Sequence, residues 1–164
     1  VTKAILALDQ STSKIGWVVL IGNDVDSFGE FDPDKPHFDD VRAWVKDMAG
    51  TLKAQGHDVT VVVEDVYLAK YYDSKTKQWR YQVHTYDVLH SIREHIHAAA
   101  RDVGADYLVV KPYDAMVALS GVTDPKTKRE DRKRIMKAAA ELTLNEKASE
   151  HVSDALGIAF AALG

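Results

Sequence analysis

The chain has 164 residues, 46% of them hydrophobic, with nine Gly and four Pro, which fits a single domain over residues 1–164 with a full core. It has no cysteine, which excludes a disulfide scaffold, a thiolate zinc site and a cysteine nucleophile. The net charge of −4 gives no general pull on nucleic acid, so any such affinity must come from local clustering, and the absence of a span-length apolar stretch or a basic-then-apolar leader predicts a cytoplasmic protein without a membrane partner.

Residues 3–9 predict a strand in which Ala4-Ile5-Leu6-Ala7-Leu8 runs without polar alternation into Asp9. A turn over 10–15 follows, where Ser11, Thr12 and Ser13 offer local hydrogen bonds, and then a second strand over 16–21. Gly22-Asn23-Asp24 is a hairpin signal leading to a weaker, antiparallel strand over 25–31. Pro33 and Pro36 punctuate a loop before a helix over 38–55, where Phe38, Val41, Val45, Met48 and Leu52 keep helical spacing up to Gly56. Val59-Thr60-Val61-Val62-Val63 forms another unbroken apolar strand, ending at Glu64. A polar, aromatic-rich stretch over 67–81 carries no predicted element. Beyond it come a helix over 82–103, a strand over 107–110, a helix over 113–119, a basic helix over 126–142 and a closing helix over 150–163. Hairpin strands first and crossovers later imply an α/β fold: a mixed sheet with helices on both faces.

Strands without alternation suit burial on both faces, and a carboxylate ending one is costly to desolvate unless it meets a metal, a cation or water. Asp9 and Glu64 hold two such positions, while His151 and Asp154 stand at i and i+3 near the start of the closing helix. Each has a plain structural alternative. Asp9 can be a turn former, Glu64 and Asp65 a solvated acidic pair, His151 a packed or surface histidine, and Asp154 a residue favouring a helix N-terminus. Together they predict more. Neighbouring strands of one sheet end together, so a helix across that edge completes an acidic, metal-binding site. Oxygen ligands with one imidazole suit Mg²⁺ or Mn²⁺, and two such ions roughly 3.5–4 Å apart activate water and stabilise the leaving oxygen in phosphoryl displacement.

Two further clusters are basic. Lys70, Lys75, Lys77 and Arg80 interleave with Tyr71, Tyr72, Trp79 and Tyr81, and Asp73 is the one acid among them. Such a segment can stack bases while its cations neutralise phosphates; the alternative is a solvated loop whose aromatics pack on the core. Over 126–137, Lys126, Lys128, Arg129, Arg132, Lys133, Arg134 and Lys137 outnumber Glu130 and Asp131 by five charges, more than i,i+4 pairing absorbs, which predicts an anionic partner.

The motifs resemble those of the RuvC-type Holliday junction resolvases of the ribonuclease H-like superfamily. Ile5-Leu6-Ala7-Leu8-Asp9-Gln10-Ser11-Thr12 to Gly16-Trp17 resembles the first motif, with Gln10 and Ser11 where resolvases usually carry Pro-Gly. Val63-Glu64-Asp65-Val66-Tyr67-Leu68-Ala69-Lys70-Tyr71-Tyr72-Asp73-Ser74 resembles the second without a gap. Ser153-Asp154-Ala155-Leu156-Gly157-Ile158-Ala159 resembles the C-terminal motif, with His151 where many members carry another aspartate. The resemblance implies a ribonuclease H-like domain whose catalytic and metal-holding set is Asp9, Glu64, His151 and Asp154, loaded with two Mg²⁺ (or Mn²⁺) ions. Tyr67 stands where the family has an aromatic that stacks at the strand crossover. The implied DNA contacts are Tyr67, Lys70, Lys75, Lys77, Arg80, Lys128, Arg129, Arg132 and Lys133. The implied partners are branched DNA, above all four-way junctions, and a second copy of the chain. A homodimer would nick opposed strands symmetrically, leaving 5′-phosphate and 3′-hydroxyl ends.

Three rival readings remain at this level. Leu6-Ala7-Leu8-Asp9-Gln10-Ser11-Thr12-Ser13 also resembles the first phosphate loop of sugar kinases in the actin-like ATPase group, although those enzymes need two lobes. The others are a nuclease acting on flaps or forks and a non-catalytic module that binds branched DNA.

Overall fold

The computed structural model describes residues 1–11, 13–32 and 38–164; Thr12 of the predicted turn and the loop prolines Pro33 and Pro36 lie outside the described residues. In chain order the elements are β1 (Lys3–Asp9), β2 (Ile15–Ile21), β3 (Asp24–Phe31), α1 (Phe38–Ala54), β4 (Asp58–Glu64), β5 (Lys70–Asp73), β6 (Gln78–Tyr81), α2 (Val83–Asp102), β7 (Asp106–Val110), α3 (Pro112–Ser120), α4 (Arg129–Leu144) and α5 (Glu150–Leu163). Five strands form one sheet in the order β3-β2-β1-β4-β7. The hairpin pairs β1·β2 and β2·β3 are antiparallel, and the crossover pairs β1·β4 and β4·β7 are parallel. This is the mixed α/β sheet that the sequence predicts.

The two-residue period of a strand assigns each side chain to one of two cores. Ala4, Leu6 and Leu8 of β1 and Val59, Val61 and Val63 of β4 pack against α1 and α2, with Val41, Val45, Ile92 and Ile96. Ile5 and Ala7 of β1 and Val62 of β4 face the opposite way, toward Val152, Ala155, Leu156 and Ile158 of α5, with Ala115 of α3 and Ala140 of α4 behind. Helix α5 is buried along most of its length, so it belongs to the centre of the molecule. At Gly157 it lies so close to α3 that a Cβ would stand 2.7 Å from the Ala115 carbonyl oxygen, and glycine permits that approach.

The stretch over 67–81, which carries no predicted element, contains a β-hairpin of β5 and β6 that stands apart from the main sheet. Its strands have four residues each and bury neither face, which removes the period that hydrophobic patterning detects. The connecting turn has no Gly or Pro. Lys77 takes the left-handed conformation at φ 55°, and the Asp73 carboxylate accepts from the Lys75 backbone N–H at 2.9 Å. The basic helix also differs from the expectation: it starts at Arg129, because Asp124 Oδ1 accepts from the Lys126 N–H at 2.9 Å and holds that segment in a turn. Among the described residues no helix is long and apolar enough to cross a membrane.

Candidate active site

Asp9 and Glu64 end adjacent parallel strands whose register sets Leu8 beside Val63. By the parity of β1 and β4, both acidic side chains share the face that carries α5. The Gln10 side-chain amide donates to the Glu64 carbonyl at 2.7 Å and ties the two strand ends together. Asp65, the next residue, points elsewhere: its carboxylate pairs with Arg93 of α2 at 2.8 Å. The predicted acidic pair is therefore split, with Glu64 in the cluster and Asp65 pinning a helix.

Helix α5 supplies the other two groups. Its first turn is capped by Ser149, whose Oγ accepts from the Val152 N–H at 3.2 Å, while Ser153 Oγ donates back to the Ser149 carbonyl at 2.8 Å. His151 Nδ1 lies 3.1 Å from Asp9 Oδ2. With the carboxylate accepting, Nδ1 donates and Nε2 is the ring nitrogen left to act. Gly16 of β2, opposite Asp9 in the sheet, makes this approach feasible. A Cβ on Gly16 would overlap the His151 carbonyl and come within 2.8 Å of the His151 Cβ.

The electrostatics reflect carboxylates crowded in a poorly solvated place. Burial, then the charges of Asp9 and Asp154, pushes Glu64 up to about 7. Burial, then Asp9 and Glu150, pushes Asp154 up to about 7, with Lys133 and His151 opposing. Asp9 is raised by burial against the opposing His151 hydrogen bond, and His151 is raised chiefly by that same bond. Through these charges and the His151–Asp9 bond, each of the four groups feels at least one of the others.

Among the described residues no set of three or more His, Cys, Asp or Glu side chains is gathered tightly enough to hold a metal ion, which departs from the metal-binding cluster expected from the sequence. His151 pairs with Asp9, and the charges of Asp9 and Asp154 both bear on Glu64. The donor chemistry, oxygen with one imidazole, fits a hard divalent cation, whose charge would relieve that repulsion.

Asp9 and Glu64 open into a cleft of about 230 Å³ whose walls include Gln10, Tyr67, Gln82 and Tyr86. Tyr67 stands at its rim, 70% exposed. Sequence reasoning missed Tyr86, since an aromatic on a helix gives no signal of which cleft it faces. The predicted basic residues fall into three groups. Lys75, Lys77, Lys128 and Arg129 are exposed to solvent. Lys70 lies over the Tyr81 ring at 5.4 Å, and Arg80 pairs with Asp73 at 3.4 Å, so these two also brace the hairpin. Arg132 donates to the carbonyls of Pro125 at 3.1 Å and Asp124 at 3.4 Å, and Lys133 pairs with Glu150, so both have structural partners within the chain.

The fold is similar to that of solved RuvC structures. Thermus thermophilus RuvC in complex with a Holliday junction substrate superposes with a TM-score of 0.67 at 15% identity, covering 97% of this chain and 91% of that one. A second Thermus thermophilus RuvC structure gives 0.64 at 16% identity, covering 96% and 92%. The chain has the ribonuclease H-like fold of RuvC. No family model and no curated protein matches it in sequence.

Proposed function

We propose that the chain is a metal-dependent, structure-selective DNA endonuclease that resolves four-way junctions by paired symmetric nicks, working as a homodimer. The observation that supports this reading is that Asp9 and Glu64 end neighbouring strands while His151 of α5 reaches Asp9 at 3.1 Å, with Asp154 three residues further along that helix. The fold around them is the one found in a RuvC bound to a Holliday junction.

Asp9, Glu64, His151 and Asp154 would hold Mg²⁺ or Mn²⁺, which when bound neutralises charge on the scissile phosphate and acidifies the attacking water. The chain's own residues prepare that site. Asp9 fixes the His151 ring through Nδ1 and leaves Nε2 as the ring nitrogen for a ligand or a proton. Tyr67 offers a stacking face at the cleft rim, and the β5·β6 hairpin presents Tyr72, Trp79 and Tyr81 with Lys70 beside them. Specificity on this reading rests on branched shape and phosphate positions more than on base edges.

The test is a nuclease panel of synthetic four-way, three-way, flap and linear DNA with and without Mg²⁺ or Mn²⁺. Symmetric paired nicks on the four-way substrate, lost in Asp9→Asn with junction binding retained, support the reading. Preferential cutting of flaps or forks would replace it with a nuclease of different substrate. Metal-independent or absent cleavage of every substrate would refute the nuclease assignment.

A further inference from the structure

The acidic cluster stands between two clefts of opposite character. The one that holds Asp9, Glu64 and Tyr67 has no lysine or arginine among its described lining residues. The other, about 290 Å³, runs between α4 and α5 and is lined by Lys133, Arg134 and Lys137 on one side and Glu150, Ser153 and Asp154 on the other. Asp154 is thus a wall of a cationic groove, and on the nuclease reading a DNA strand passing the cluster would meet aromatics on one side and cations on the other.

Lys133 and Lys137 are one helical step of four apart and share a face of α4. Lys137 is exposed and has no ion pair among the described residues. Among the described residues Arg134 is paired only with Asp131, at 3.1 Å, and its side chain is 78% exposed. Lys133 pairs with Glu150, and those side chains are 44% and 57% exposed. Ion pairs this exposed are weak and exchange readily for another anion.

Building on the nuclease reading above, we propose that the α4–α5 groove is a subsite for a DNA backbone phosphate, anchored by Lys137 and Arg134. Glu150 is the internal occupant of Lys133 that an incoming phosphate displaces. The exchange swaps a carboxylate for a phosphate on the same ammonium, so Lys133 stays neutralised before and after binding. Glu150 precedes His151 on α5, so the exchange occurs next to the acidic cluster. The groove gives a specific role to Lys137 and Arg134, which belong to the basic cluster but are not among the DNA contacts that the family resemblance implies.

The experiment is fluorescence-anisotropy binding of a four-way junction in EDTA, titrated between 50 and 200 mM salt, for the whole chain and its variants. One phosphate contact changes the affinity ratio between those two salt concentrations by about 3.5-fold. Lys137→Gln, at an exposed position that keeps the fold, is expected to flatten the salt dependence by that amount. Glu150→Gln is expected to bind more tightly than the parent, and the gain is expected to vanish when Lys133→Gln is added. Glu146→Gln, an exposed acid outside the groove, serves as the control for general charge and is expected to give no comparable gain. An unchanged slope in Lys137→Gln, a Glu150→Gln gain that persists without Lys133, or an equal gain from Glu146→Gln would each overturn the subsite. If the parent chain binds no DNA, both readings fail. If it binds and the variants behave like it, only this one does.

Discussion

Replacing Gly16 by Ala tests whether the approach of α5 to β2 builds the site. The added methyl would overlap the His151 carbonyl and stand 2.8 Å from the His151 Cβ, where ordinary contact starts at 3.4 Å. The obstacle is helix backbone, so it cannot swing aside as a flexible side chain would. Clearing it requires the first turn of α5 to retreat by about 1 Å, a displacement of the size that costs about a hundredfold in rate when it moves catalytic groups. The same retreat stretches the 3.1 Å contact between His151 and Asp9 beyond hydrogen-bonding reach. Overpacking of this kind costs about 1–3 kcal/mol. For a chain of this length that lowers Tm by about 3 °C per kcal/mol. Junction nicking under saturating Mg²⁺, the Tm, and the His151 ring resonances followed against pH together read the effect. The expected result is a loss of about two orders of magnitude in nicking, a Tm lower by several degrees, and a His151 pKa that falls back toward its ordinary value as Asp9 withdraws. Unchanged nicking together with an unchanged His151 titration would show that α5 has room to spare and would refute the argument.

The pH dependence of the metal-free protein follows from the acidic cluster. Glu64 and Asp154 are raised to about 7, so the folded state holds more protons than the unfolded chain between the ordinary carboxylate range and neutrality. Stability therefore falls as pH rises across that window, and His151, also raised, acts in the same direction. Urea midpoints should decline from about pH 4.5 toward pH 7 without metal, the interval between ordinary and shifted values, and Mg²⁺ should restore them at the upper end. A midpoint that rises over that interval would contradict the crowding described. Trp79→Ala removes an indole that is 69% exposed on the hairpin, so Tm should hold while junction affinity drops by about 1–3 kcal/mol of lost base stacking. Affinity that stays constant would return the hairpin aromatics to plain surface. Arg132→Ala should lower Tm while leaving the salt slope of DNA binding nearly intact, because its guanidinium is spent on the Asp124 and Pro125 carbonyls. A flattened slope with unaltered Tm would restore it to the DNA contacts implied by the sequence.

Much of the architecture is legible in the residues themselves. The unbroken apolar runs into Asp9 and Glu64 identify the two central strands and the edge at which they end, and Gly22-Asn23 marks the turn between β2 and β3. Helical spacing finds α1, and Gly56 and Gly104, both at positive φ, mark the ends of α1 and α2. What was illegible depended on tertiary partners. The contact between His151 and Asp9 joins residues 142 positions apart, and no local pattern encodes it. Nor could composition tell which cations are free: Arg132 and Lys133 read the same as Lys137, yet the first two have partners within the chain. The β5·β6 hairpin escaped because an exposed ribbon has no buried stripe to betray its period. The sequence does place ligand-type residues at suitable strand and helix ends, but it cannot show that His151 pairs with Asp9.

The order in which the four acidic and histidine groups leave the ribosome is set by the topology. Asp9 and Glu64 are made early and pair as soon as β4 docks beside β1, whereas His151 and Asp154 arrive some ninety residues later on α5. A nascent chain shorter than that has an unscreened pair of carboxylates and a sheet with one face uncovered, and it lacks half of the proposed catalytic set. On the nuclease reading, a chain cut short before α5 would lack two of the four proposed catalytic groups and the helix that covers one face of the sheet, and it would be unable to cut.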